Sequence, residues 1–185
     1  TGPTGSTGAS FSVPPYVSHV VYVSISVGSD ITGDGSLSNP VATLGRGLQL
    51  VVNPSLAHPW SVVLGPGVYT EGDLQIPPDT AISNINPNST IINANSVSLT
   101  NTWPATSRDI SSFVDIEINT TAGISFNFSA AGSLFGTFSF YECNIGGAGN
   151  MSITGTTSGL NILYANNCIV NVNLSVNDAF GSADS

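Results

Sequence analysis

Tyr141-Glu142-Cys143-Asn144-Ile145 and Asn166-Asn167-Cys168-Ile169-Val170 are two versions of one pattern, offset by 25 positions. Each follows an aromatic-bearing run, Phe138-Ser139-Phe140 in the first case and Leu163-Tyr164 in the second. Val114-Asp115-Ile116-Glu117-Ile118 lies about one period earlier. From Ser61 onward, short apolar runs recur with turn residues between them, among them Val62-Val63-Leu64, Leu74-Gln75-Ile76, Thr90-Ile91-Ile92, Ile124-Ser125-Phe126 and Val172-Asn173-Leu174. Such runs read as strands of about 3–6 residues, which could build a sandwich or a solenoid. Self-similarity at a fixed period decides for the solenoid, because one repeat then stacks on the next.

The fold expected is all-β: a right-handed parallel β-helix with coils of roughly 20–30 residues, three short strands to a coil. Cys143 and Cys168 then stack on successive coils inside the core. Buried free thiols are the first expectation for them and a disulfide the alternative. Asn86, Asn93, Asn95, Asn166 and Asn167 suit coil corners, because asparagine tolerates left-handed backbone. Val114, Ile116 and Ile118 should point inward by strand alternation, leaving Asp115 and Glu117 together on the outer face. Glu142 lies one coil on.

Towards the amino terminus, Val20 to Val27 reads as a strand and Gly28 to Ser36 as a tight turn. Leu44, Leu48 and Val51 fall on one helical face within Asn39 to Val52, which marks one short helix weakened by Gly45 and Gly47. Further upstream, Gly2, Gly5 and Gly8 recur at every third position with Pro3 beside the first. Only glycine fits the axis of a collagen triple helix, so this period reads as the end of a collagen-like stalk. A collagen stalk delivers three chains to one point, so the following domain is expected to be a homotrimer. The domain plan is thus stalk 1–10, linker 11–18 and β-helix domain 19–185. Within the last, the cap strand and helix occupy 19–52, the coils 61–176 and a tail 177–185.

Composition narrows the function. Of 185 residues, 7% are charged, with Lys+Arg 2 against Asp+Glu 11 and a net charge of -9. A basic footprint for nucleic acid or an anionic membrane surface cannot be built from two arginines. No apolar run is long enough to span a bilayer, so neither nucleic acid nor membrane insertion is expected. Two cysteines are too few for a disulfide framework. The Ser, Thr, Asn and Gly that replace charge suit an extracellular or virion β-fold.

Tyr22-Val23-Ser24, Gly28-Ser29-Asp30, Gly33-Asp34-Gly35-Ser36, Asn39-Pro40 and Ala42-Thr43-Leu44 resemble the opening of pectin-lyase-like β-helix proteins. Val62-Val63-Leu64-Gly65-Pro66-Gly67-Val68-Tyr69-Thr70-Glu71 is similar to the segment that closes their first coil. The resemblance covers residues 20–92 and implies that the first strand and short helix cap the open end of the β-helix. A collagen-like stalk joined to such a domain also resembles fibre and surface proteins of large DNA viruses and, less closely, phage tail-spikes. It implies a structural role on a virion or outside the cell. Some proteins of this kind are made with a C-terminal trimerising chaperone that is then removed, and Asn177 to Ser185 is a candidate for such a cut site.

Candidate chemistry is sparse. Asp115, Glu117 and Glu142 could serve a carboxylate-based glycosidase. No Lys exists, Arg46 falls in the cap helix and Arg108 in a loop beside Asp109, so the pattern of polysaccharide lyases is not met. Asp30 and Asp34 could hold a cation but lack EF-hand spacing, and read as turn residues. His19 and His58 are isolated, and no Ser-His-Asp arrangement can be assembled. Trp60, Trp103 and Tyr69 could form a sugar platform or pack internally. Five N-glycosylation sequons, at Asn88, Asn119, Asn127, Asn150 and Asn173, are what 18 asparagines in a Ser/Thr-rich chain produce by composition. The expectation is therefore a structural trimerisation and head domain with no catalytic, cofactor or metal residues. Its partners are its own copies and, beyond these, a glycan or a host surface receptor. A tail-spike-like glycosidase and a glycan-binding head are the alternatives.

Overall fold

In the computed structural model, the residues described are 19–55, 57–86, 88–100, 108–128, 135–155 and 160–178. The stalk and linker assigned to 1–18, the end of the tail and Trp103 lie outside them.

The protein is all-β with one short helix among the described residues. A first sheet takes strands β1 (His19–Val23), β2 (Trp60–Leu64), β4 (Thr80–Asn84), β6 (Arg108–Val114), β8 (Phe135–Tyr141) and β11 (Leu160–Asn166), in that spatial order. A second sheet takes β3 (Gly67–Ile76), β5 (Thr90–Thr100), β7 (Glu117–Phe128), β9 (Asn144–Gly147), β10 (Asn150–Gly155), β12 (Ile169–Val170) and β13 (Leu174–Asp178). Every ladder between these strands is parallel. Parallel neighbours cannot be joined by a hairpin and need a crossover. Here the crossover is itself made of strands of the other sheet. Each strand therefore pairs with its counterpart in the next repeat, as Phe138 does with Leu163 and Ile118 with Ile145.

This register stacks like on like. Val21, Val62, Ile82, Phe113 and Phe140 form one inward column, and Tyr69, Ile92, Ile118 and Ile145 another. Leu74, Val97, Ile124 and Met151 make a third, and all of these side chains are buried. The Phe113 and Phe140 rings stack at 5.8 Å with 7° between planes, and Phe138 packs at 4.7 Å from Phe126. Burial of such columns is the main favourable term holding the layers together.

Two expectations about strand extent are corrected. The run Val114 to Ile118 is not one strand. β6 ends at Val114, Asp115 takes φ 64°, and β7 starts at Glu117. That turn resets the alternation, so Phe113 and Ile116 face the core and Val114 is only half-buried. Likewise β1 stops at Val23. Ser24 to Val27 form a turn closed by Gly28 N–H donating to the Ser24 carbonyl at 2.8 Å, leaving Ile25 and Val27 exposed. Alternating β-branched residues do not distinguish a strand from the turn that follows it.

The same turn recurs in the next two repeats. Glu142 with φ 55° precedes Cys143, and Asn167 with φ 54° precedes Cys168. Of the asparagines expected at corners, Asn167 occupies one, whereas Asn93 and Asn95 lie within β5. At a second corner β5 shifts register against β7 between Ala94 and Ser96, and the chain leaves β9 for β10 through Gly147 at φ 114°. A Cβ at Gly147 would sit 2.1 Å from the Thr120 carbonyl oxygen of the preceding repeat, so only glycine fits there.

The helix α1 (Leu44–Gln49) forms within the expected window. Thr43 caps it, its hydroxyl accepting from Arg46 N–H at 3.1 Å. Leu44, Gly47 and Leu48 are buried, and Val51 is half-buried against the same core. Gly47 is poor for helix propensity but good for packing: a Cβ there would meet Val23 Cγ2 at 2.7 Å. The helix thus lies close over β1, β2 and β3 at the first repeat.

Candidate functional site

The carboxylates expected to share a face do converge, by way of the repeated corner rather than strand alternation. Asp115 and Glu142 occupy equivalent corner positions one repeat apart, and Glu117 opens β7 just beyond. With Asn88, Asn144 and Asn167 they line an open groove of about 530 Å³. The corner is fastened along the stack: Asp115 N–H donates to the Tyr141 carbonyl at 2.8 Å, and Glu142 N–H to the Asn166 carbonyl at 2.9 Å. Asn84 Nδ2 donates to the Asp115 carbonyl. Glu117 Oε1 accepts from Asn119 Nδ2 at 2.9 Å, and the same Nδ2 donates to Asn93 Oδ1 at 3.2 Å. Glu142 is exposed, while Asp115 and Glu117 are half-buried. A polar, carboxylate-lined groove could receive a polyhydroxylated ligand, and paired carboxylates are the groups that glycoside hydrolysis uses. Among the described residues, no group of three or more His, Cys, Asp or Glu is placed to hold a metal ion.

Asp30 and Asp34 are occupied with backbone. One Asp30 oxygen accepts from Ala42 N–H at 2.7 Å and Thr43 N–H at 3.0 Å, and the other from the Thr43 hydroxyl at 2.7 Å. Partial burial works to raise the Asp30 pKa, but the hydrogen bonds from Thr43 and Ala42, with Arg46 nearby, hold it below the ordinary value. Asp34 Oδ1 accepts from Ser36 N–H at 2.9 Å, an Asx turn that likewise lowers its pKa.

Glu71 was not singled out as a site in the sequence, yet it has a defined task. Its two oxygens accept from Leu44 N–H at 2.7 Å and Gly45 N–H at 3.2 Å, the free donors of the first turn of α1. Burial pushes its pKa up against the pull of those two bonds. Glu71 is 27 positions from Leu44, so nothing local in the sequence announces the pairing.

Of the three residues weighed for a sugar platform, Trp103 lies outside the described residues, and Tyr69 and Trp60 are engaged within the fold. Tyr69 is fully buried, its hydroxyl donating to the Gly65 carbonyl at 2.8 Å and accepting from Ile25 N–H at 3.3 Å. Trp60 stacks on His19 with ring centroids 4.5 Å apart, so one indole face is already covered. His58 approaches His19 edge-on at 6.3 Å. Trp60 Nε1 is buried without a hydrogen-bond partner. Arg46 Nη1 donates to Gln49 Oε1 at 3.2 Å, on the helix as expected. Arg108 is not in a loop: it is the first residue of β6, with Asp109 next to it in the strand.

Cys143 and Cys168 are both free thiols at equivalent positions of successive repeats. Cys143 is buried, its sulfur within hydrogen-bond distance of the Phe113 and Tyr141 carbonyls. Burial pushes its pKa up to about 11, which makes it inert rather than nucleophilic.

No family model, no curated protein and no solved structure matches the chain.

Proposed function

We propose that the chain is a structural trimerisation and head domain of a collagen-like fibre protein. Its body is read as a right-handed parallel β-helix of the pectin-lyase-like kind, the fibre as a virion-surface or extracellular one. The observation that carries the reading is the succession of a Gly-X-Y tract at residues 2–10 and a body of parallel strands stacked repeat on repeat. Collagen geometry demands three chains. Polar side chains on the body are committed to internal tasks: Asp30 and Glu71 to the helix, Asp34 to a turn, Asn93 and Asn119 to each other. Light scattering tests the reading. A mass near three times 18.9 kDa supports it, and a monomer at micromolar concentration removes it.

A second reading has one observation in its favour, the groove that gathers Asp115, Glu117 and Glu142. In this reading the domain is a glycosidase or a glycan-binding head. Incubation with a panel of glycans, followed by product detection, separates the two. Turnover abolished by Glu117→Gln or Glu142→Gln would establish the enzyme, and absence of turnover would remove it. Binding that survives both substitutions would favour a non-catalytic receptor-binding head.

A further inference from the structure

We propose that the outward face of the first sheet is the surface through which three copies of this chain pack about a common axis. The proposal rests on the trimeric reading above and names the surface that serves it.

Strand register places Tyr22, Val63, Ser83, Val114 and Tyr141 in one outward column across five successive strands. Val20, Ser61, Ala81 and Ser112 form the parallel column beside it. None of these side chains carries a charge at neutral pH, although the chain carries -9 overall. The other outward surfaces differ. Asp73 and Glu117 stand on the second sheet, and Asp115 and Glu142 line the corner between the sheets. A three-fold axis brings the same residue of each copy together, so any carboxylate near it meets two like charges. The two columns of the first sheet are free of that repulsion over the strands β1, β2, β4 and β6.

Three further features fit. Val20 on β1 and Tyr141 on β8 are 40% and 39% exposed in the single chain. Parallel sheets are ordinarily covered on both faces, and among the described residues the core packs against the inner one. Finally, β1 is the strand that follows the Gly-X-Y tract and linker directly, so a stalk that gathers three chains delivers this sheet first to the axis. Small residues such as Ser61, Ala81, Ser83 and Ser112 allow close approach between copies, while the valines and tyrosines supply apolar area.

The test places one charge on the face. Ser83→Glu and Val114→Glu are made in the full chain, with Ser125→Glu, exposed on the second sheet, as control. The expected result is a trimer for the unmodified chain and the control, and a threefold drop in mass for the two face variants with their far-ultraviolet circular dichroism retained. Face variants that stay trimeric would overturn the proposal and leave the trimer standing. A monomeric unmodified chain would overturn the trimeric reading itself. Should the face variants unfold, maleimide labelling of Val20→Cys and Ser125→Cys decides. Protection at position 20 against ready labelling at 125 supports the proposal, and equal labelling overturns it.

Discussion

Cys143 N–H donates to the sulfur of Cys168 at 3.4 Å, a contact between residues 25 positions apart. It is the sequence repeat made physical: the same two-residue corner, one layer further along the stack. Each sulfur also lies near the carbonyls that precede its own corner, Tyr141 and Asn166. The thiols therefore act as small core residues with weak donors.

The first prediction concerns these thiols. Denatured protein should yield two free thiols by titration, with no loss on omitting a reductant. In the native protein Cys143 should resist alkylation at pH 8, because its pKa stands near 11 and it is buried. Cys168, half-buried, should react first. A disulfide-linked peptide recovered by mass spectrometry would contradict this. Cys143→Ala should cost about 1 kcal/mol through lost packing and lost sulfur contacts.

The cap region predicts opposed pH responses. Asp30 is held below the ordinary aspartate value, so its contribution is present above that ordinary value and is lost as the pH falls through the lowered one. Glu71 is held above the ordinary glutamate value, so its contribution is full below that ordinary value and is lost as the pH rises through the raised one. Thermal unfolding at fixed protein concentration should therefore decline on both sides of a window near pH 4. Asp30→Asn should flatten the acid limb, and Glu71→Gln the limb at higher pH. Limbs unchanged by these substitutions would show that other groups govern them. Glu71→Ala, which strips the partner from two helix N–H groups, should cost about 1–3 kcal/mol.

Tyr69 offers a cleaner single-atom test. Its buried hydroxyl ties the Gly65 carbonyl to Ile25 N–H, fastening β3 to the turn after β1. Tyr69→Phe keeps the ring and removes the link, so a loss of about 1–2 kcal/mol in denaturant unfolding is expected with no change in oligomeric state. A neutral substitution would mean that the ring alone matters.

Glu142 holds left-handed backbone beside Asp115 and Glu117, at a conformational cost of about 1–2 kcal/mol for a side chain of its kind. Glu142→Asn relieves both the backbone and the charge, and should stabilise by about 0.5–1 kcal/mol. Glu142→Val should destabilise by a similar amount or more. The opposite order would show that the carboxylate itself contributes at that corner.

The sequence carried the layered parallel arrangement because its evidence is periodic. Cys143 and Cys168, with their flanking residues, repeat at the spacing of the ladders. It carried the helix because Leu44, Leu48 and Val51 share a face, while the Thr43 cap emerged only in the structure. The break at Asp115 was not legible, since Val114-Asp115-Ile116-Glu117-Ile118 alternates perfectly and the left-handed turn carries no Asn or Gly to mark it. Comparison with Glu142 and Asn167 at the equivalent positions was the signal available, one Asn among three corner residues. The duties of Asp30 and Glu71 were hidden for another reason. Their partners lie 12 and 27 positions away, joined only when the first layer closes. The convergence of Asp115, Glu117 and Glu142 was anticipated, but on the argument of strand alternation, which the corner replaces.

The central claim is that three copies form one head. Sedimentation equilibrium of the full chain, carried down to submicromolar concentration, addresses it most directly. A single species near three times 18.9 kDa that persists on dilution is the result expected. A species of 18.9 kDa throughout would contradict it.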